Sequence, residues 1–228
     1  MKLRVDVWSD VVCPWCWIGK RRLEAAIAEH PRHDEVEVVW RSFELEPYFS
    51  ETRADPAASY RDRLARRYGC SRADADRRMA QMIEIAAAEG IELRLDHVRP
   101  VNTFDAHRVL QLARDRHVQP AVIEALFRAH LTDGELLTDH DTLIRLARTA
   151  GLDEEEVRAT LASDVYDDEV REDEAEASEL GIRKVPFFVF GGRCVVSGAQ
   201  PPPTLLRAIV QAFCELEPVA PRHSPQGR

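Results

Sequence analysis

The stretch Leu3-Arg-Val-Asp-Val-Trp8-Ser-Asp10-Val-Val-Cys13-Pro14-Trp15-Cys16 decides the fold. Its first half alternates and reads as a strand, and a helical pattern begins at Cys13. A cysteine capping that helix faces unpaired backbone N–H groups and the positive end of the dipole, which favours thiolate over thiol. Pro14 then falls at the first helical position, where its missing N–H costs nothing. Cys16 lies one turn on, on the same face, so the two sulfurs can close a small disulfide. A zinc half-site is the bland alternative, but it needs two more close-spaced ligands, and Cys70, Cys194 and Cys214 stand alone. A purely structural disulfide over so short a loop would constrain little chain entropy. Strand, turn and helix around C-x-x-C therefore point to a thioredoxin-like redox centre.

Working outward, the helix from Cys13 should run to about His30, where Pro31 stops it. Residues 35–43 alternate at period two and read as a second, parallel strand. From about Asp55 to Leu180 the pattern is helical, with Ile91 to Leu95 as one possible strand. Helix starts are expected at Ser71, at Asn102-Thr103, at Pro120, at Asp139 or Asp141, and at Asp153. The acidic run from Asp167 to Glu179 reads as a solvated helix face, with a docking patch for a basic partner as the other reading. Strand character returns at Val185 to Phe190, followed by a Gly191-Gly192 turn, a partner strand through Val196 and a closing helix over Leu205 to Phe213. The expected architecture is α/β: a thioredoxin-like fold, β-α-β then β-β-α, with a large all-helical insertion between its halves. Residues 1–50 and 181–217 form the thioredoxin-like domain, 51–180 the helical insertion, and 218–228 a fraying tail.

Composition narrows the function classes. The chain has 228 residues, 45% hydrophobic and 31% charged, with a formal net charge of −9. That balance carries no basic face for nucleic acid, and no apolar run reaches membrane-spanning length. Charged residues at Lys2, Arg4, Asp6 and Asp10 break any signal-peptide core, so a cytoplasmic location is expected. In that compartment a C-x-x-C cycles rather than staples, and the odd total of five cysteines fits mostly free thiols.

Val185-Pro186 supplies the second half of the site. A proline opening a strand lacks the ladder donor, and the thioredoxin fold places a cis proline there, opposite the cysteines. The backbone of Val185 is then free to pair with an extended substrate. Four blocks in matching order, Cys13-Pro-Trp-Cys-Trp-Ile-Gly-Lys20, Asn102-Thr-Phe-Asp-Ala-His-Arg108, Val185-Pro-Phe-Phe188 and Ser197-Gly-Ala-Gln200, resemble the FrnE-like branch of the DsbA family of thiol–disulfide oxidoreductases. The resemblance spans Lys2 to Phe213. It implies that Cys13 is the nucleophile, Cys16 the resolving thiol and Pro186 the cis proline. A second cysteine pair near the C-terminus, found in some members, is absent, because Cys214 has no near neighbour. The same superfamily includes kappa-class glutathione transferases and 2-hydroxychromene-2-carboxylate isomerases, which generally carry serine where Cys13 stands. A glutathione-dependent isomerase or transferase is thus the enzymatic alternative, and a binding module with inert cysteines the non-enzymatic one.

The expected chemistry is exchange through a mixed disulfide with protein or small-molecule thiols. No cofactor is expected to bind tightly; glutathione is a candidate co-substrate, and the chain is expected to act as a monomer or homodimer. Pro14, Trp15, Val185 and Pro186 are the candidate substrate-binding residues, Trp15 as an exposed apolar lip. Asp6, on the strand leading into the motif, is the candidate acceptor of the Cys16 proton. Asp10 is expected to face water or cap the turn, and His107 to be a helix-packing or hydrogen-bonded histidine. Met79 and Met82 read as core.

Overall fold

A computed structural model describes residues 2–47 and 59–216. The expected tail at 218–228 and the start of the insertion lie outside these residues. Strand β1 (Leu3–Ser9) is followed by helix α1 (Pro14–Glu29), a 3-10 turn at His33–Glu35 and strand β2 (Val36–Ser42). Among the described residues seven helices follow: α2 (Tyr60–Tyr68), α3 (Arg72–Ala88), α4 (Phe104–Asp115), α5 (Gln119–Leu131), α6 (His140–Thr149), α7 (Glu154–Leu161) and α8 (Asp167–Glu179). Strands β3 (Phe187–Phe190) and β4 (Cys194–Ser197) and helix α9 (Pro202–Leu216) complete the described residues. The four strands are ordered β2-β1-β3-β4. β1 and β2 are parallel, and β3 runs antiparallel to both of its neighbours.

Strand alternation assigns the two faces of the sheet. Val5 and Val7 stand opposite Phe190 and Phe188, all four fully buried on the face covered by α1 and α9. Asp6 and Trp8 point the other way, where the Trp8 indole N–H donates to the Asp173 carbonyl of α8 at 2.9 Å. The β3–β4 turn needs positive φ at both central residues, and Gly191 and Gly192 supply it at 57° and 72°. One continuous apolar core joins the sheet to the helices that follow β2. No described helix is long and apolar enough to cross a membrane.

Helix starts follow local chemistry. Ser71, Asp139 and Asp153 each accept a backbone N–H of the first turn. At α4 it is Asn102 whose Oδ1 takes the Phe104 N–H at 2.9 Å, while Thr103 is the terminal residue.

Two expectations need correcting. Ile91, Leu93 and Leu95 are buried alternately, as the period-two pattern implies, but they form no strand. Their segment is tied down instead by Arg94 N–H to Leu131 O and by the Thr132 hydroxyl to Glu92 O. The acidic helix α8 is not wholly solvated either. Asp173 is 2% exposed and binds Arg41 Nη1 at 2.6 Å, the Ser42 N–H at 2.8 Å and the Gln111 amide at 2.7 Å. A carboxylate can be buried only with such partners.

Candidate active site

The turn from β1 into α1 puts both sulfurs at the head of a helix. Cys13 has extended backbone angles, φ −96° and ψ 110°, and is the residue immediately before α1, with Pro14 inside the first turn. Its carbonyl accepts the Cys16 N–H at 3.0 Å, and its own N–H donates to Asp10 O at 3.0 Å. The motif is thereby pinned on both sides. Cys13 keeps 6% of its surface exposed and Cys16 none, and neither sulfur is bonded.

The pair is electrostatically asymmetric. Hydrogen bonding from the Cys16 thiol lowers the pKa of Cys13; burial opposes it, the backbone of Cys16 and Trp15 assists it, and Asp10 works against it through like charge. Cys16 moves well above the ordinary thiol range, first because it is buried and then because Cys13 draws on its proton and repels its charge. Two thiols one turn apart are thus pushed in opposite directions.

The Val185-Pro186 peptide bond is cis, and Val185 O lies 3.9 Å from Cys13 Sγ. Val185 and Pro186 are buried and Trp15 is half-buried against the core, so the expected exposed lip is only partly open. Gly19, on α1, is where the helix crosses the proline strand: a Cβ there would stand 2.8 Å from Pro186 Cγ and 3.2 Å from Phe188 Cζ. An exposed helical glycine changed to alanine gains about 1 kcal/mol. At Gly19 the overpacking, about 1–3 kcal/mol, outweighs that gain. Gly19→Ala is expected to lower the urea midpoint and slow any chemistry at Cys13; a raised midpoint would show that the contact yields freely.

Asp6 and the cysteines are not brought together. Its carboxylate is held by Arg4 at 2.8 Å and by Arg41 at 2.8 Å, on the α8 face of the sheet. The acid that does lie at the motif is Asp10. It is 1% exposed, contrary to the expectation that it faces water, although it does cap the turn by accepting the Val12 N–H at 3.4 Å. His107 is equally buried, with Nε2 3.5 Å from Asp10 Oδ1. Sequence reasoning missed this contact. Its available signal was the position of His107, one turn from both Phe104 and Leu110 on the apolar side of α4. Among the described residues, no three or more His, Cys, Asp or Glu side chains are grouped to hold a metal ion.

Sheet order, the C-x-x-C at a helix head and the facing cis proline define a thioredoxin-like fold. The chain belongs to the DSBA-like thioredoxin domain family, which it matches over residues 4–210, a family of thiol–disulfide oxidoreductases. It is 43% identical to a probable DsbA oxidoreductase from Streptomyces coelicolor, with a TM-score of 0.87 covering 96% of this chain and 93% of that one. It is 28% identical over 204 residues to the uncharacterized protein YwbO of Bacillus subtilis, covering 87% of this chain and 92% of YwbO. The fold is also that of the cytosolic disulfide reductase DsbM from Pseudomonas aeruginosa, with 18% identity, a TM-score of 0.61, and coverage of 94% of this chain and all of that one (100%).

Proposed function

We propose that the protein exchanges disulfides with thiol substrates through Cys13 as nucleophile and Cys16 as resolving thiol. The observation that carries this reading is two unbonded sulfurs at one helix head with the cis Val185-Pro186 bond beside Cys13, where burial and hydrogen bonding favour thiolate at Cys13 over Cys16. In the reducing direction, the Cys13 thiolate attacks a substrate disulfide and expels one substrate sulfur as thiolate. Cys16, losing its proton, then attacks Cys13 in the mixed disulfide; the second substrate sulfur leaves, and the Cys13–Cys16 disulfide forms. In the oxidising direction, a substrate thiolate attacks Cys13 of that disulfide and Cys16 leaves. A second substrate thiolate then displaces Cys13. Relative potentials set the direction.

The asymmetry has a kinetic use. A low-pKa sulfur is the better leaving group, so a mixed disulfide through Cys13 is poised to release it. The high pKa of Cys16 keeps its own attack from running until its proton is removed. Val185, with its carbonyl beside Cys13 Sγ, offers backbone for an extended substrate, and Pro14, Trp15 and Pro186 are the neighbours in sequence assigned to receive its side chains. Glutathione fits the role of co-substrate, supported by the likeness of the fold to DsbM, which has also been solved with glutathione. That likeness to a cytosolic protein also supports action in the cytoplasm.

Trapping tests the reading. Cys16→Ser removes the resolving thiol, so with oxidised glutathione or a disulfide-bonded client peptide, Cys13 should attack, expel one substrate thiolate and accumulate as a mixed disulfide, visible by mass spectrometry and reversed by dithiothreitol. Adducts absent, or attached elsewhere, would favour a binding module with inert cysteines. Glutathione-dependent turnover surviving in Cys16→Ser would favour the isomerase or transferase.

A further inference from the structure

Beneath the C-x-x-C turn lies a set of buried charges that disulfide exchange does not itself require. Asp10 Oδ2 accepts the Leu45 N–H at 2.8 Å, and among the described residues its ion-pair contact is with His107. Neither ring nitrogen of His107 has a hydrogen-bond partner of ordinary geometry among those residues. Glu44, whose side chain is 1% exposed, takes Arg171 Nη1 at 2.8 Å and lies 3.5 Å from the Asn102 amide. Glu174 of α8 accepts the Glu44 N–H at 3.2 Å and also binds Arg171.

His107 therefore meets Asp10 of the β1–α1 turn and feels the charges of Glu44, after β2, and Glu174 of α8, both of which bind Arg171. His130 of α5 feels the charges of Asp10 and of Arg63 of α2, but burial holds it neutral, with a pKa of about 4. An uncompensated carboxylate at Asp10 would repel a thiolate at Cys13, and in a buried site the repulsion is weakly screened. Burial alone would keep the His107 ring neutral; the contact with Asp10 and the charges of Asp10, Glu44 and Glu174 outweigh it and raise its pKa.

We propose that His107 is a positioning residue for the thiol chemistry: as an imidazolium it pairs with the Asp10 carboxylate and offsets the repulsion that Asp10 exerts on the Cys13 thiolate. The proposal rests on the disulfide-exchange reading and deepens it. It makes α4 of the helical segment, ninety-odd residues from the motif, part of the electrostatics of the reactive sulfur.

The experiment follows the His107 ring by NMR and the Cys13 thiolate by ultraviolet absorbance across pH. Both are read in the reduced wild type and in His107→Gln, Asp10→Asn and the double variant. His107 should be charged at neutral pH in the wild type and neutral in Asp10→Asn. His107→Gln should move the Cys13 titration up by about one unit, a roughly tenfold loss of thiolate below it. Asp10→Asn should move it down, and the double variant should follow Asp10→Asn, a pattern that simple loss of packing would not produce. Should His107→Gln not fold, the ring titration in the wild type and Asp10→Asn decides. A neutral His107 at neutral pH, or an activated Cys13 that His107→Gln leaves unmoved, overturns this proposal alone. An ordinary Cys13 thiol in the wild type, with nothing trapped by Cys16→Ser, overturns the exchange reading and this proposal with it.

Discussion

Cys13→Ser is expected to abolish disulfide exchange, while Cys16→Ser retains the first half of it. A serine hydroxyl at position 13 does not ionise near neutral pH and cannot form a disulfide, so no mixed intermediate can be made. The residual rate should match a protein-free control in an assay of glutathione-coupled disulfide reduction. Fold is not expected to suffer: Cys13 uses its backbone to pin the turn, through Asp10 O and Cys16 N–H at 3.0 Å each. The Cys13→Ser urea midpoint should therefore stay close to that of the reduced parent. Substantial exchange by folded Cys13→Ser would assign the chemistry to another thiol, with Cys16, Cys70, Cys194 and Cys214 as the remaining candidates.

The largest loss of stability is expected from Asp173→Ala. Asp173 satisfies three donors at once: the Arg41 guanidinium, the Ser42 N–H and the Gln111 amide. The side chain of Arg41 is 18% exposed, so deleting its partner strands a largely buried cation. Removing one member of a buried pair costs about 3–5 kcal/mol. Asp6 also holds Arg41, which places the cost toward the lower end of that range. Asp173→Asn keeps one acceptor oxygen but puts an NH2 donor where the other accepted, losing the charge and part of the hydrogen bonding, so it should fall between parent and alanine in urea denaturation. The network lies on the sheet face opposite α1, and the folded fraction of either variant should keep the alkylation behaviour of Cys13. Equal stability of Asp173→Ala and the parent would mean that water replaces the carboxylate without penalty.

What the sequence disclosed and what it hid divide along locality. The redox motif was legible because its chemistry sits within four residues whose types each answer a constraint: a strand end, a helix cap, a proline suited to the first turn, and a second sulfur one turn on. The Val185-Pro186 pair and the Gly191-Gly192 turn were legible for the same reason. Asp10 and His107 were not. Their contact is made by packing α4 beneath a turn far away in the chain; the place of His107 on α4 signals burial but not its partner, and Asp10 carries no local signature of burial. Asp173 was hidden by its company, since an acidic run implies solvent until a partner such as Arg41 is placed against it. Asp6 misled in the opposite sense: it occupies a suggestive strand position, yet alternation turns it toward Arg4 and Arg41. Ile91 to Leu95 shows that a two-residue period reports alternate burial, which an extended segment can have without joining a sheet.

The measurement closest to the central claim is the pH dependence of alkylation of the reduced protein, with each modified cysteine identified by mass. Thiolate is the reactive form, so the rate at each site rises with pH through the pKa of that site. Cys13 should react first, with a midpoint below the ordinary thiol value of about 8.5, and Cys16 should stay unmodified until well above it. A Cys13 midpoint at or above the ordinary value, or Cys16 reacting ahead of Cys13, would contradict the account.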